Sequence, residues 1–165
     1  MLKTTIATVL GGLLASGAAM ADNYDEGATD DEIMFGVIVP LSGPASAYGS
    51  VGHCFEGYFN AVNDKGGING RKINVLVQDD GYNPAKTLEQ ARRLVEREGV
   101  LFLAGDLGTP TNSAIHRYMN QREVPQLFIT TGASKWDDPE NYPRNNPNLP
   151  SYAAAARKYN KHINE

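Results

Sequence analysis

Ile33-Met34-Phe35-Gly36-Val37-Ile38-Val39, closed by Pro40, is the stretch that decides the fold. It is apolar almost without a break, which is how a strand reads when both of its faces are buried in a parallel sheet. Pro40 ends it. Leu41-Ser42-Gly43-Pro44-Ala45-Ser46-Ala47-Tyr48-Gly49 then reads as a turn-rich loop, with Ser46 suited to cap a following helix.

Moving outward toward the carboxyl end, Val51, Cys54 or Phe55, Tyr58 and Val62 recur at helical spacing, so a helix is expected over about 48–64 despite three glycines. Gly66-Gly67 stops it and Asn69-Gly70 turns the chain into a β-branched strand over 73–78. That strand breaks at Asp79-Asp80-Gly81. Asn83 followed by Pro84 marks the next helix start, because an Asn side chain caps well and proline at the first helical position loses no hydrogen bond. Leu88, Ala91, Leu94 and Val95 form its buried stripe, and Gly99 ends it. A third strand is expected over 100–104. The small-residue loop Gly105–Asn112 then opens a helix with Ala114, Ile115, Tyr118 and Met119 inward, and a fourth strand over 126–130 gives way to Thr131–Trp136. The order β-α-β-α-β-α-β predicts an α/β fold: an open parallel sheet with helices on both faces, built by right-handed crossovers in strand order 2-1-3-4. Residues 144–165 are expected to be an irregular connection followed by a weak helix.

Upstream, residues 22–32 are acidic and aperiodic and read as a flexible leader. Residues 1–21 have a basic start at Lys3, an apolar Ala/Gly/Leu-rich stretch, and Ala19-Met20-Ala21 as a small-residue cleavage site. This is the pattern of a cleavable export signal, and its apolar run is shorter than the ~20 residues a membrane span needs. The product is therefore expected to be periplasmic or otherwise extracytoplasmic. The net charge of −4 lacks the basic excess of a nucleic-acid binder. A single cysteine, Cys54, can form no internal disulfide.

Four loops meet at the carboxyl edge of such a sheet: 41–48, 79–82, 105–111 and 131–136. Ligands of open α/β sheets bind at that edge, and three of the loops lead directly into helices whose free N–H groups favour an anion. Gly108 and Gly132 allow close approach to the backbone. Thr109, Thr111, Thr131 and Ser134 add hydroxyl groups, and Tyr48 and Trp136 offer aromatic walls. The combination suits a carboxylate, although the same residue types also serve as ordinary caps and turns. Asp79-Asp80 either binds a cation or an ammonium group or simply caps the second strand. His53, His116 and His162 lack metal-ligand spacing. No nucleophile elbow, phosphate loop or dinucleotide fingerprint is present, so neither enzymatic activity, nor a cofactor, nor a metal is expected.

Taken in order, Val39-Pro40-Leu41-Ser42-Gly43-Pro44, Tyr48-Gly49, Asn63-Asp64-Lys65-Gly66-Gly67-Ile68-Asn69-Gly70-Arg71-Lys72-Ile73, Asp79-Asp80 and Asn83-Pro84-Ala85 strongly resemble the leucine/isoleucine/valine-binding protein family, the solute receptors of ABC importers with the type I periplasmic-binding-protein fold. Gly105–Thr109 and Gly132-Ala133-Ser134 match the two ligand loops of the family's N-terminal lobe. The resemblance makes 33–143 that lobe. It implies that Thr109 and the Gly132-Ala133-Ser134 loop hold the carboxylate and ammonium of an amino acid, with Tyr48 lining the side-chain pocket and Trp136 following the loop. It also implies a membrane ABC permease as partner. Family members continue through a second lobe, so the chain is expected to be truncated. As one lobe it would bind amino acids weakly or not at all unless a second chain supplies the other wall. The alternative is a lobe serving as a protein-interaction or sensory module.

Overall fold

The structure, a computed structural model, describes residues 24–165. The expected export signal over 1–21 lies outside them. Strand β1, Glu32–Val39, runs parallel to β2, Lys72–Asp79, along its whole length, from Glu32 opposite Lys72 to Val39 opposite Asp79. On its other side it meets the short β3, Leu103–Ala104, which pairs with β4, Gln126–Ile129. All pairings are parallel and the order is β2-β1-β3-β4-β5. The expected 2-1-3-4 order is found, extended by one strand.

That fifth strand, β5, Asn145–Pro147, corrects the expectation of a wholly irregular connection beginning at 144. It has no apolar pattern because hydrogen bonds hold it. Gln126 N–H donates to the Arg144 carbonyl at 2.8 Å, and Asn120 both accepts from the Arg144 N–H and donates to the Asn145 side chain at 2.9 Å. The 22–32 segment is likewise tied down over its described part. Met34 N–H donates to the Gly27 carbonyl at 2.7 Å, and the Arg71 guanidinium donates to the Tyr24 hydroxyl, which in turn donates to Asp30. At Gly27, φ is +82° and a Cβ would lie 2.2 Å from the Leu101 nitrogen, so only glycine fits this close crossing.

Helices α2, Pro84–Arg93, and α3, Thr109–Gln121, cover one sheet face. Between them and the sheet Ile38, Leu94, Leu103, Ile115 and Met119 are fully buried. The Asn83 cap forms as expected, accepting from the N–H groups of Ala85 and Lys86. Helix α2 continues through one wide turn, Leu94–Glu98, to left-handed Gly99. On the opposite face, α1, Ser50–Asn63, packs Val51, Phe55 and Phe59 against Phe35, Val37 and Val39. Phe35 stacks on Phe102 at 4.9 Å and meets Phe55 and Phe59 edge-on.

Two helix expectations change. The inward stripe of α1 runs through Phe55 and Phe59, leaving Cys54 and Tyr58 in solvent. Ser46 begins a 3-10 turn, Ser46–Gly49, rather than capping α1 directly. Gly52 is what lets α1 sit so close. A Cβ there would stand 2.7 Å from Val77 Cγ1 and 2.9 Å from Val39 Cγ2. Helix α4, Tyr152–Asn164, is capped by Ser151 and buries none of its residues.

Candidate functional site: the carboxyl edge of the sheet

The loop after β1 is held by a carboxylate rather than left open. Asp79 accepts from the N–H groups of Leu41, Ser42 and Gly81 at 2.8, 3.1 and 2.9 Å, and from the Ser42 hydroxyl at 2.6 Å. The Ser42 hydroxyl holds the Asp79 carboxyl below the usual aspartate range against the opposing effect of burial, and the Gly81, Ser42 and Leu41 N–H donors add to the lowering. Asp80 is fully buried and accepts from the Tyr82 N–H and the Thr87 hydroxyl, both at 2.8 Å. Both side chains are thus engaged in fastening β2 to its neighbours.

Beneath the next loop lies Asp106, buried, its Oδ1 accepting from the Ile38 N–H at 2.7 Å. Burial pushes its carboxyl up to about 7, with the nearby Asp80 carboxylate adding to the rise and the Ile38 N–H and Gln126 opposing it. Asn112 ties the loop to α3 by donating to the carbonyls of Asp106 and Gly108. Gly108 has φ +99°, and the Tyr82 ring lies across it so closely that a Cβ would sit 2.4 Å from Tyr82 Cε2. No side chain caps the start of α3.

There Thr109 Oγ1 and Thr131 Oγ1 share a 2.5 Å hydrogen bond, bringing together two loops separated by a helix and a strand. Thr131 also accepts from the Ala133 N–H. Tyr152, at the head of α4, completes the cluster. Its N–H donates to the Gly132 carbonyl at 2.7 Å, its hydroxyl lies 3.3 Å from Thr131 Oγ1, and a Cβ on Gly132 would be 2.6 Å from its ring. Thr131 first, then the Gly132 backbone, holds the Tyr152 phenol below its ordinary range. The result is a patch of three hydroxyl groups beside an uncapped helix start, suited to hydrogen-bond a small anion or zwitterion.

Of the residues expected here, Gly108, Thr109, Gly132 and Ala133 lie in this patch and its two loops, and Ser134 is exposed at their end. Tyr48 is 57% exposed on the first loop. Trp136 is a correction. It is 2% exposed, its ring packed edge-on against His116 at 4.7 Å, with Tyr142 stacked on the same imidazole at 3.7 Å. It anchors the loop and forms no part of an open wall. Sequence reasoning missed Tyr82 and Tyr152. The only local signal for Tyr152 was a serine cap before it, and nothing local placed it against Gly132.

Among the described residues no group of His, Cys, Asp and Glu is arranged to hold a metal, and no helix is long and apolar enough to cross a membrane.

Comparison with known proteins places this arrangement in a class. The family model for periplasmic binding proteins matches residues 32–162. A Leu/Ile/Val-binding protein, BraC3 of Rhizobium johnstonii, is 33% identical over 137 residues, covering 82% of this chain and 34% of its own. A possible leucine/isoleucine/valine-binding protein from Rhodopirellula baltica superposes with a TM-score of 0.62 at 30% identity, over 73% of this chain and 32% of that one. An ABC-transporter solute-binding protein from Rhodopseudomonas palustris, solved with 3,4-dihydroxybenzoic acid, gives 0.60 at 26% identity, over 70% and 31%. The chain belongs to the leucine/isoleucine/valine-binding protein family of periplasmic binding proteins. It spans about a third of the length of the curated relatives it matches.

Proposed function

We propose that this chain is the N-terminal lobe of the solute-binding component of an ABC importer, exported through its first 21 residues. In this reading it receives a small carboxylate-bearing solute, an amino acid of branched-chain or similar kind, and passes it to a membrane permease. The observation that carries the reading is the hydroxyl cluster of Thr109, Thr131 and Tyr152 at the uncapped start of α3. A carboxylate seated there takes the helix's free N–H groups and the Thr109 hydroxyl, while the Gly132-Ala133-Ser134 loop offers backbone groups to an ammonium. Tyr48, on the first loop, borders the side-chain space. The relatives support the class of solute: one is named for leucine, isoleucine and valine, and another is bound to an aromatic acid.

One lobe offers only part of the contacts that a closed two-lobed cleft provides, so the purified chain binds such a solute weakly unless another chain supplies the second wall. Isothermal calorimetry with a panel of amino acids and 3,4-dihydroxybenzoate tests this. Submicromolar binding by the purified monomer contradicts the half-site reasoning. Weak binding lost in Thr109→Val supports it. A second reading, a lobe acting as a protein-interaction module, is favoured by the exposure of Tyr58 and Phe128, at 66% and 51%.

A further inference from the structure

Beneath the two ligand loops the core holds Asp106, Asn112 and Gln126, which come from the loop after β3, from α3 and from β4. Asn112 and Gln126 are fully buried. The Asn112 amide donates to the Asp106 carbonyl at 2.9 Å and to the Gly108 carbonyl at 2.7 Å, so one side chain fixes the loop that leads into Thr109. Its oxygen accepts from Gln126 Nε2 at 3.1 Å. Gln126 also hydrogen-bonds the Asp106 carboxyl. Gln126 Oε1, however, is buried with no hydrogen-bond partner among the described residues. An unpaired buried oxygen is destabilising, and a methionine of similar volume carries no such cost, so packing alone does not account for glutamine here. What the glutamine supplies is direction. If the Asn112 amide turned over, its oxygen would face the two loop carbonyls and its NH2 would face the Gln126 NH2, acceptor against acceptor and donor against donor. The Gln126 donor excludes that arrangement.

We propose that Gln126 and Asn112 are positioning residues for the solute: Gln126 sets the orientation of the Asn112 amide, and Asn112 holds the Gly108 carbonyl and with it the start of α3 in register with the second ligand loop. The proposal rests on the solute reading above and adds to it a buried link between the two loops. Gln126 opens β4, the strand that runs on into Thr131–Ser134. The Gly108 N–H donates to the Thr130 carbonyl at 3.2 Å, and Thr109 shares its hydrogen bond with Thr131, so the first loop closes on the end of the same strand. Displacing Asn112 therefore moves Gly108 against Thr130 and draws Thr109 away from Thr131. Both positioning side chains act from the core, outside the hydroxyl patch, and neither touches the solute.

A nitrogen-15 titration of the full chain with leucine tests this, following side-chain NH2 signals as well as backbone amides in wild type, Gln126→Met and Thr109→Val. In wild type the Asn112 and Gln126 NH2 signals are expected to shift along the same saturation curve as the start of α3, although both groups are sealed from solvent. Gln126→Met conserves volume and removes the unpaired oxygen together with the donor. It is expected to keep the wild-type far-ultraviolet spectrum and to weaken leucine binding about tenfold, the scale of one misplaced hydrogen bond. NH2 signals that stay still in a wild-type chain that binds leucine overturn the proposal, whatever the variant does. So does a Gln126→Met chain that binds as wild type while Thr109→Val does not, a result that leaves the solute reading standing. A wild-type chain with no saturable shift removes the solute reading and the proposal with it.

Discussion

Replacing Asp106 with asparagine should stabilise the protein above neutral pH and remove much of its pH dependence. The Asp106 carboxyl is buried between β1 and β3, and burial lifts it from 3.8 to about 7. Between those values the folded chain holds a proton that the unfolded chain has released. Stability is therefore greatest below the lower value, falls as pH rises toward the higher one, and levels off above it. At about 1.36 kcal/mol per pKa unit, the gap sets a ceiling of ~4 kcal/mol on the cost of ionising Asp106 in place. Asparagine carries no charge to desolvate and retains an oxygen to accept the Ile38 N–H. Urea denaturation of both proteins from pH 5 to 8.5 checks this. The variant should gain roughly 1–4 kcal/mol relative to wild type as pH rises across the window. Comparing the two proteins cancels His116, whose imidazole is held below its ordinary value by burial and then by Lys135 and so acts in the opposite direction. Parallel pH profiles would refute the reasoning, because they would mean that Asp106 titrates alike in both states.

Other substitutions probe the scaffold. Asp79→Ala releases the Leu41, Ser42 and Gly81 donors and should cost about 1–3 kcal/mol in chemical denaturation, with faster amide exchange at 41–42. Gly52→Ala gains about 1 kcal/mol of helix propensity, but its Cβ meets Val77 and Val39 at under 3 Å, so thermal melting should show a net loss. Trp136→Ala removes the ring packed on His116 and should cost about 3–5 kcal/mol, appearing first as a lowered Tm. The His116 partnership should itself weaken as pH falls below 6.5, where unfolding lets the imidazole charge.

The elements legible in the sequence were those with a period or a punctuation mark. The buried run of β1, the Asn83-Pro84 start and the Gly99 stop needed only local chemistry. Strand β5 lacked any such mark, because its pairing depends on Asn120 and Gln126, each about twenty residues away. In α1 the pairs Cys54/Tyr58 and Phe55/Phe59 have the same spacing, and only packing on Phe35 chose the second. The candidate site divided in the same way. Gly108, Thr109 and Gly132 were legible as loop chemistry at a sheet edge, whereas the burial of Trp136 depended on His116 and Tyr142. The arrival of Tyr152 at Gly132 is a tertiary contact with no local trace.

The most direct test of the central claim is a nitrogen-15 amide titration of the purified chain with leucine, repeated with Thr109→Val. Saturable shifts are expected, confined to the start of α3 and to Thr131–Ser134 and much reduced in the variant. Shifts centred elsewhere, or shifts at these amides that Thr109→Val leaves unchanged, would contradict it.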